Sequence, residues 1–251
     1  SVIDPVAAAV TSVALEHTDV LGETVEEIAR DKAQVAPAER PLVTATTGEA
    51  LEAVKTVSPN AVAIGEEVTV EYGGVVADRE SAVSIVAPDW GGETRLALLG
   101  EHQARNAGVA ATLAVQLGID PAAIERGLRR ATWPGRFEIR AREPLVVLDG
   151  AHNPGACEAV AGVLDEFEYD DLHLVFGAMH DKAHAGMVEA LPAPDRVITC
   201  RPALDRAADQ AVLARVFERH GVEDVTAMSA VETATEEAID DAGPADCVLV
   251  T

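Results

Sequence analysis

From residue 145 to residue 251 the sequence alternates short apolar runs with helical segments, and few folds accept that alternation. Expected strands cover 145–149, 172–177, 196–200, 224–228 and 246–251, with helices over 154–167, 184–191, 208–220 and 230–242 between them. Strict strand-helix alternation predicts a parallel, doubly wound sheet, because parallel neighbours need a crossover and a helix supplies it. Leu145-Val-Val-Leu148 is apolar without a break, as suits a strand buried on both faces. Asn153 is a good N-cap and Pro154 suits the first helical turn. Asp149 is therefore expected at the carboxyl end of a strand, where open α/β sheets bind ligands.

The earlier part of the chain is organised differently. Residues 6–13, 41–46 and 61–64 read as strands, Thr24-Val-Glu-Glu27 as a capping-box start of a helix running to about Val35, and 49–57 as a second helix. Residues 68–99 alternate and contain Gly73-Gly74 and Gly91-Gly92, which predicts antiparallel hairpins; helices follow over 101–117 and 121–130. The expected fold is α/β in two domains, 1–131 and 132–251.

Charge and composition narrow the function classes. Acidic residues number 43 against 19 basic ones, a formal net charge of -24. Such a surface repels nucleic acid and anionic membranes. The acids are scattered through periodic segments rather than gathered in a tail, so a solvated acidic surface is expected instead of disorder. Only Lys32, Lys55 and Lys182 are lysines, and an acidic, lysine-poor surface fits a halophilic protein, in which salt screens self-repulsion. Where Arg carries most positive charge, a retained lysine points to chemistry that needs a deprotonating amine. Cys157, Cys200 and Cys247 lack CxxC spacing, against both disulfides and zinc. No apolar run reaches the ~18 residues of a membrane span. No secretory signal opens the chain and its first residue is Ser, so it is expected to be a cytoplasmic, monomeric piece of a longer or fused polypeptide.

Trp133-Pro-Gly-Arg136 and Asp149-Gly-Ala-His-Asn-Pro154 gather an Arg, an Asp and a His around a strand-to-helix turn. The turn can grip a nucleotide, or these side chains can simply hold the loop.

The strings TSVALEHTDVLGETVEEIARDKA, GEHQARNAGVAATLA, WPGRFEI, LDGAHNPGA and FGAMHDK occur here in an order and spacing that resemble the folylpolyglutamate synthase and dihydrofolate synthase family of the Mur ligase superfamily. The resemblance runs from Asp4 to about Ala207. It implies the later part of a central ATP-binding domain, residues 1–131, followed by a Rossmann-like C-terminal ligase domain, residues 132–251. The Gly-rich phosphate loop that the family carries further upstream has no match in this sequence.

The resemblance also implies roles for particular residues. His17 matches a magnesium ligand, although magnesium prefers oxygen and the residues alone leave a structural histidine equally open. Lys32 matches a lysine carbamylated by carbon dioxide into an anionic oxygen ligand; otherwise it is a solvated lysine pairing with Glu27 or Asp31. Asn106 matches the adenine-reading asparagine, as against a surface amide. Arg136 matches the arginine that reaches ATP phosphate, and Asp149 and His152 line the same site. Asp181 and Lys182 match contacts to the amino-acid substrate. The implied cofactors are ATP and Mg2+, with a monovalent cation as a further candidate. The implied reaction adds L-glutamate to dihydropteroate or to folates through an acyl phosphate. The alternatives are another Mur-type amino-acid ligase and a nucleotide-binding module without catalysis.

Overall fold

The computed structural model describes residues 4–15, 21–35, 37, 39–77 and 79–251. The chain divides into two compact units, Ser1–Thr132 and Trp133–Thr251.

In the first unit β1 (Ala8–Val10), β2 (Leu42–Thr44) and β3 (Val62–Ala63) form a parallel sheet in that order. The helices are α1 (Val25–Ala33) and α2 (Gly48–Val57). A complete capping box starts α1: the Glu27 N–H donates to Thr24 Oγ1 at 3.1 Å, and the Glu27 carboxylate accepts the Thr24 N–H at 3.3 Å. These two bonds satisfy amide groups that a helix start leaves without internal partners. One face of the sheet closes on both helices through mainly small side chains, among them Ala8, Ala29, Ala33, Ala53 and Val54.

The opposite face, with Val43 and Ala45, packs in a second core with Ile64, Val83, Ile85, Leu96, Ala104 and Ala111. That core includes α3 (Glu101–Gln116), the antiparallel strands β4 (Thr69–Ala77), β5 (Glu80–Ala87) and β6 (Trp90–Leu96), and α4 (Pro121–Arg130). Gly108 lets α3 approach β4 closely, since a Cβ there would stand 2.5 Å from Val70 Cγ2. The hairpins occur where alternation placed them, but the glycine pairs lie inside β4 and β6 rather than at the turns. Gly73 sits against Ala82, where a Cβ would meet the Ala82 Cβ at 3.0 Å, beside a register shift between Tyr72 and Val75. Within strands, glycine serves such bulges and close approaches.

The second unit holds a six-stranded sheet in the order β11-β10-β9-β12-β8-β7. Its elements are β7 (Glu138–Arg142), β8 (Leu145–Leu148), α5 (Pro154–Leu164), β9 (Leu172–Phe176), α6 (His184–Ala190), β10 (Arg196–Thr199), α7 (Gln210–Arg219), β11 (Asp224–Ala227), α8 (Val231–Asp241) and β12 (Cys247–Val250). β8 to β12 are mutually parallel, as the alternation requires, and β7 pairs antiparallel to β8. The sheet is thus mixed at one edge. β7 escaped the sequence reading because Glu-Ile-Arg-Ala-Arg is a mostly exposed edge strand with one fully buried residue, Ile139. Edge strands of this kind are polar by design.

Chain order places the crevice. The path moves outward through β9, β10 and β11, then α8 carries it back to insert β12 between β9 and β8. α8 packs through Ala234 and Ala238 on Val146, Val175, Ile198 and Val248. On the opposite face Phe176 and Phe217 meet edge to face, with ring centroids 5.2 Å apart.

Candidate active site in the second unit

The turn ahead of β7 is fastened at three backbone points. The Gly135 N–H donates to Glu138 Oε2 at 2.9 Å, the Gly150 N–H donates to the Gly135 carbonyl at 2.9 Å, and the Phe137 N–H donates to Asp149 Oδ2 at 2.7 Å. Gly135 has φ +69°, which glycine adopts freely, whereas Phe137 has φ +40°, which a bulky residue does not. Holding a non-glycine residue there costs about 1–3 kcal/mol. Between these two, Arg136 stays exposed, its guanidinium over Gly150: a Cβ on Gly150 would lie 4.0 Å from Nη1.

Asp149 directly follows β8, tied by its own N–H to the Val250 carbonyl at 3.0 Å. Burial pushes its carboxyl pKa up; the Phe137 N–H and the nearby Arg136 charge act the other way and do not cancel it. His152 is exposed two residues on, its Nδ1 3.1 Å from the Gly150 carbonyl oxygen. Asn153 then caps α5, its side chain accepting the Ala156 N–H at 2.8 Å. The sequence had marked this cap, and its geometry delivers Asp149 and the start of α5 to one end of the sheet.

That end carries a cleft of about 720 Å³. It lies across the carboxyl ends of β8, β12, β9 and β10, where Leu148, Val250, Gly177 and Cys200 stand. Its walls are mostly apolar, with Trp133 68% exposed at the rim. Of its lining residues Arg136 alone is cationic, and Asp149, Glu232 and Glu236 are the acidic ones. Sequence reasoning missed the α8 contribution of Glu232, Thr235 and Glu236, because a polar helix face looks the same in sequence whether it meets solvent or a crevice. Cys200 lines the cleft but is no ready nucleophile: burial pushes its thiol up to about 11. Cys157 and Cys247 are buried thiols too, raised to about 11 and about 12.

The remaining candidates lie elsewhere. Asp181 and Lys182 follow β9 on a loop held by the His180 N–H to Arg206 carbonyl bond at 2.9 Å, and neither lines the cleft. Asn106 is exposed on α3, donating from Nδ2 to Gln103 Oε1 at 3.3 Å. Lys32, half-buried on α1, lines a hollow with Thr11, Ser12 and Asp31, and forms no side-chain ion pair among the described residues. The pairing with Glu27 or Asp31 is therefore not what the structure shows. Lys55 is the lysine committed to ion pairs, with Glu66 and, at 3.4 Å, Glu67. His17 lies outside the described residues. Among the described residues no three His, Cys, Asp or Glu side chains gather into a metal cage, and no helix is long and apolar enough to cross a membrane.

Comparison with known proteins gives this geometry a context. Residues 135–251 match the family described as Mur ligase, glutamate ligase domain. The whole chain aligns, at 58% identity over 259 residues, with a probable bifunctional folylpolyglutamate synthase/dihydropteroate synthase of Halobacterium salinarum, and at 53% with a protein of the same description in Haloferax volcanii. It spans 31% of the length of each. A solved folylpolyglutamate synthase of Mycobacterium tuberculosis, complexed with ADP and AMPPCP, matches all of this chain and 62% of its own, with a TM-score of 0.86 at 28% identity.

Proposed function

We propose that the protein uses ATP to join L-glutamate to dihydropteroate, to folates, or to both: residues 135–251 match the Mur ligase, glutamate ligase domain family, and the whole chain aligns with part of two probable bifunctional folylpolyglutamate synthase/dihydropteroate synthases. The observation that carries this reading is that Arg136 and Asp149 line the same crevice at the carboxyl edge of a parallel sheet, close enough for the Arg136 charge to act on the Asp149 carboxyl. That edge is where such sheets bind nucleotides. Residues 1–131 are the later part of the central ATP-binding domain on this reading, and 132–251 the C-terminal ligase domain.

The reaction has two displacements. An oxygen of the pterin-linked carboxylate attacks the γ-phosphorus of ATP and ADP departs, leaving an acyl phosphate. The glutamate amine then attacks the acyl carbon, loses a proton, and expels inorganic phosphate to leave an amide. Arg136 is the residue for the transferring phosphate, since its planar fork matches paired oxygens and offsets charge that develops in the transition state. Asp149 receives nucleotide hydroxyls and holds the turn that presents Arg136, with His152 beside it. Asp181 and Lys182 contact the amino acid, and Asn106, which can both donate and accept, reads the adenine.

Magnesium belongs with Lys32 and His17. The hollow beside Lys32 is lined in part by Thr11, Ser12 and Asp31, residues that carry hard oxygen donors of the kind magnesium selects. Lys32 as a carbamate would add an anionic oxygen, which arginine could not supply. When bound, the ion neutralises phosphate charge. The acidic, lysine-poor surface and the Halobacterium and Haloferax relatives together support work in concentrated salt.

The test is ADP release by the full-length protein in molar KCl, with dihydropteroate and with dihydrofolate as acceptors. Release sustained over many turnovers should require both the acceptor and glutamate, and Lys32→Arg should abolish it. Steady-state ADP release indifferent to glutamate would overturn the reading, and full activity in the variant would remove the carbamate from it. The 251-residue segment alone should show no synthesis.

A further inference from the structure

The Arg136 turn is held in place from outside the cleft. Phe137 follows Arg136 with φ +40°, yet its ring is buried and its N–H is bonded to Asp149 Oδ2 at 2.7 Å. Glycine would take this backbone shape without strain, and the sequence puts phenylalanine there instead. Something must secure it. The ring of Phe137 lies flat on that of Phe167, with centroids 5.6 Å apart and 21° between planes. The Arg142 guanidinium sits over the same Phe167 ring, 5.5 Å from its centroid. Phe167 follows α5, and Arg142 ends β7, so three separate segments converge on one stack.

We propose that Phe137 and Phe167 are positioning residues for Arg136: the stacked rings hold Phe137 in its left-handed conformation, and that conformation turns Arg136 toward the cleft while Glu138 enters β7. Without the stack, residue 137 relaxes to negative φ, and the Gly135–Gly150 and Gly135–Glu138 bonds cannot all survive in their present geometry. Phe167 does not line the cleft, so any effect it has on the reaction passes through the turn. The proposal rests on the reading of Arg136 as the phosphate ligand.

The experiment is a double-mutant cycle in the full-length protein, following kcat and KM for ATP with dihydropteroate and glutamate. Phe167→Ala should lower kcat by about tenfold or more with KM for ATP changed less than about threefold, since small misplacements of a positioned group cost rate. Phe167→Leu, which keeps an apolar side chain for folding but has no flat face, should lose the same, and Phe167→Tyr should retain activity. In an Arg136→Ala background, Phe167→Ala should add no further loss. An equal loss in both backgrounds, or full activity in Phe167→Ala and Phe167→Leu, overturns the positioning role while leaving Arg136 in place. Full activity in Arg136→Ala alone overturns the reading of Arg136, and the inference falls with it.

Discussion

Asp149 carries its carboxylate in surroundings that disfavour the charge, and the molecule keeps it there. A folded-state pKa above the unfolded value means that the charged form costs stability at neutral pH. That cost disappears as pH falls through the folded pKa, where the native state takes up its proton. Asp149→Asn removes the charge and leaves an oxygen for the Phe137 N–H. The variant should therefore unfold at the same or a higher temperature than the parent at pH 7, with its advantage shrinking toward pH 4, and should be far less active in the full-length protein. A loss of stability at pH 7 would show that the ionised carboxylate holds the turn more strongly than its burial penalises it. The Asp, the Arg and the cap were legible as residue types around a strand-to-helix turn. The left-handed Phe137 was not, because nothing in Trp-Pro-Gly-Arg-Phe distinguishes a strained phenylalanine from a core one, and only its N–H bond and its stack on Phe167 reveal it.

Among the elements, α3 shows how small residues set distance. Gly108 lies in the middle of a helix, where alanine is better by about 1 kcal/mol. A Cβ there would come within 2.5 Å of Val70 Cγ2 on β4, and such overpacking against a stiff side chain costs about 1–3 kcal/mol. The clash wins, so Gly108→Ala should lower stability by up to about 2 kcal/mol in urea unfolding, against propensity; a gain would mean that β4 shifts freely. The same spacing logic explains what could be read in advance. Parallel strands buried on both faces announce themselves as apolar runs, so β8, β9, β10 and β12 were legible, while β11, an edge strand with no buried residue, followed from the strand-helix alternation. β7 was not, since one buried residue in five gives no period, and Gly73-Gly74 misled because bulge and turn use the same residue.

The whole molecule must remain folded with a net charge of -24. Two of its few cations each gather several acids: Arg196 binds Asp241, Glu237 at 2.9 Å and Asp224 at 3.9 Å, and Lys55 binds two glutamates. The unpaired excess of acid repels itself over the Debye length, about 10 Å at 0.1 M salt and about 3 Å at 1 M. Measurements on this protein therefore belong in molar KCl.

The central claim is that ATP activates a carboxylate as an acyl phosphate, and oxygen transfer tests it most directly. Dihydropteroate labelled with 18O in its carboxylate is incubated with the full-length protein, ATP and glutamate in molar KCl, and the released phosphate is analysed by mass spectrometry. The attacking carboxylate oxygen leaves with the phosphorus, so each phosphate should carry one 18O while the amide keeps the other. Amide formation accompanied by unlabelled phosphate would contradict the account.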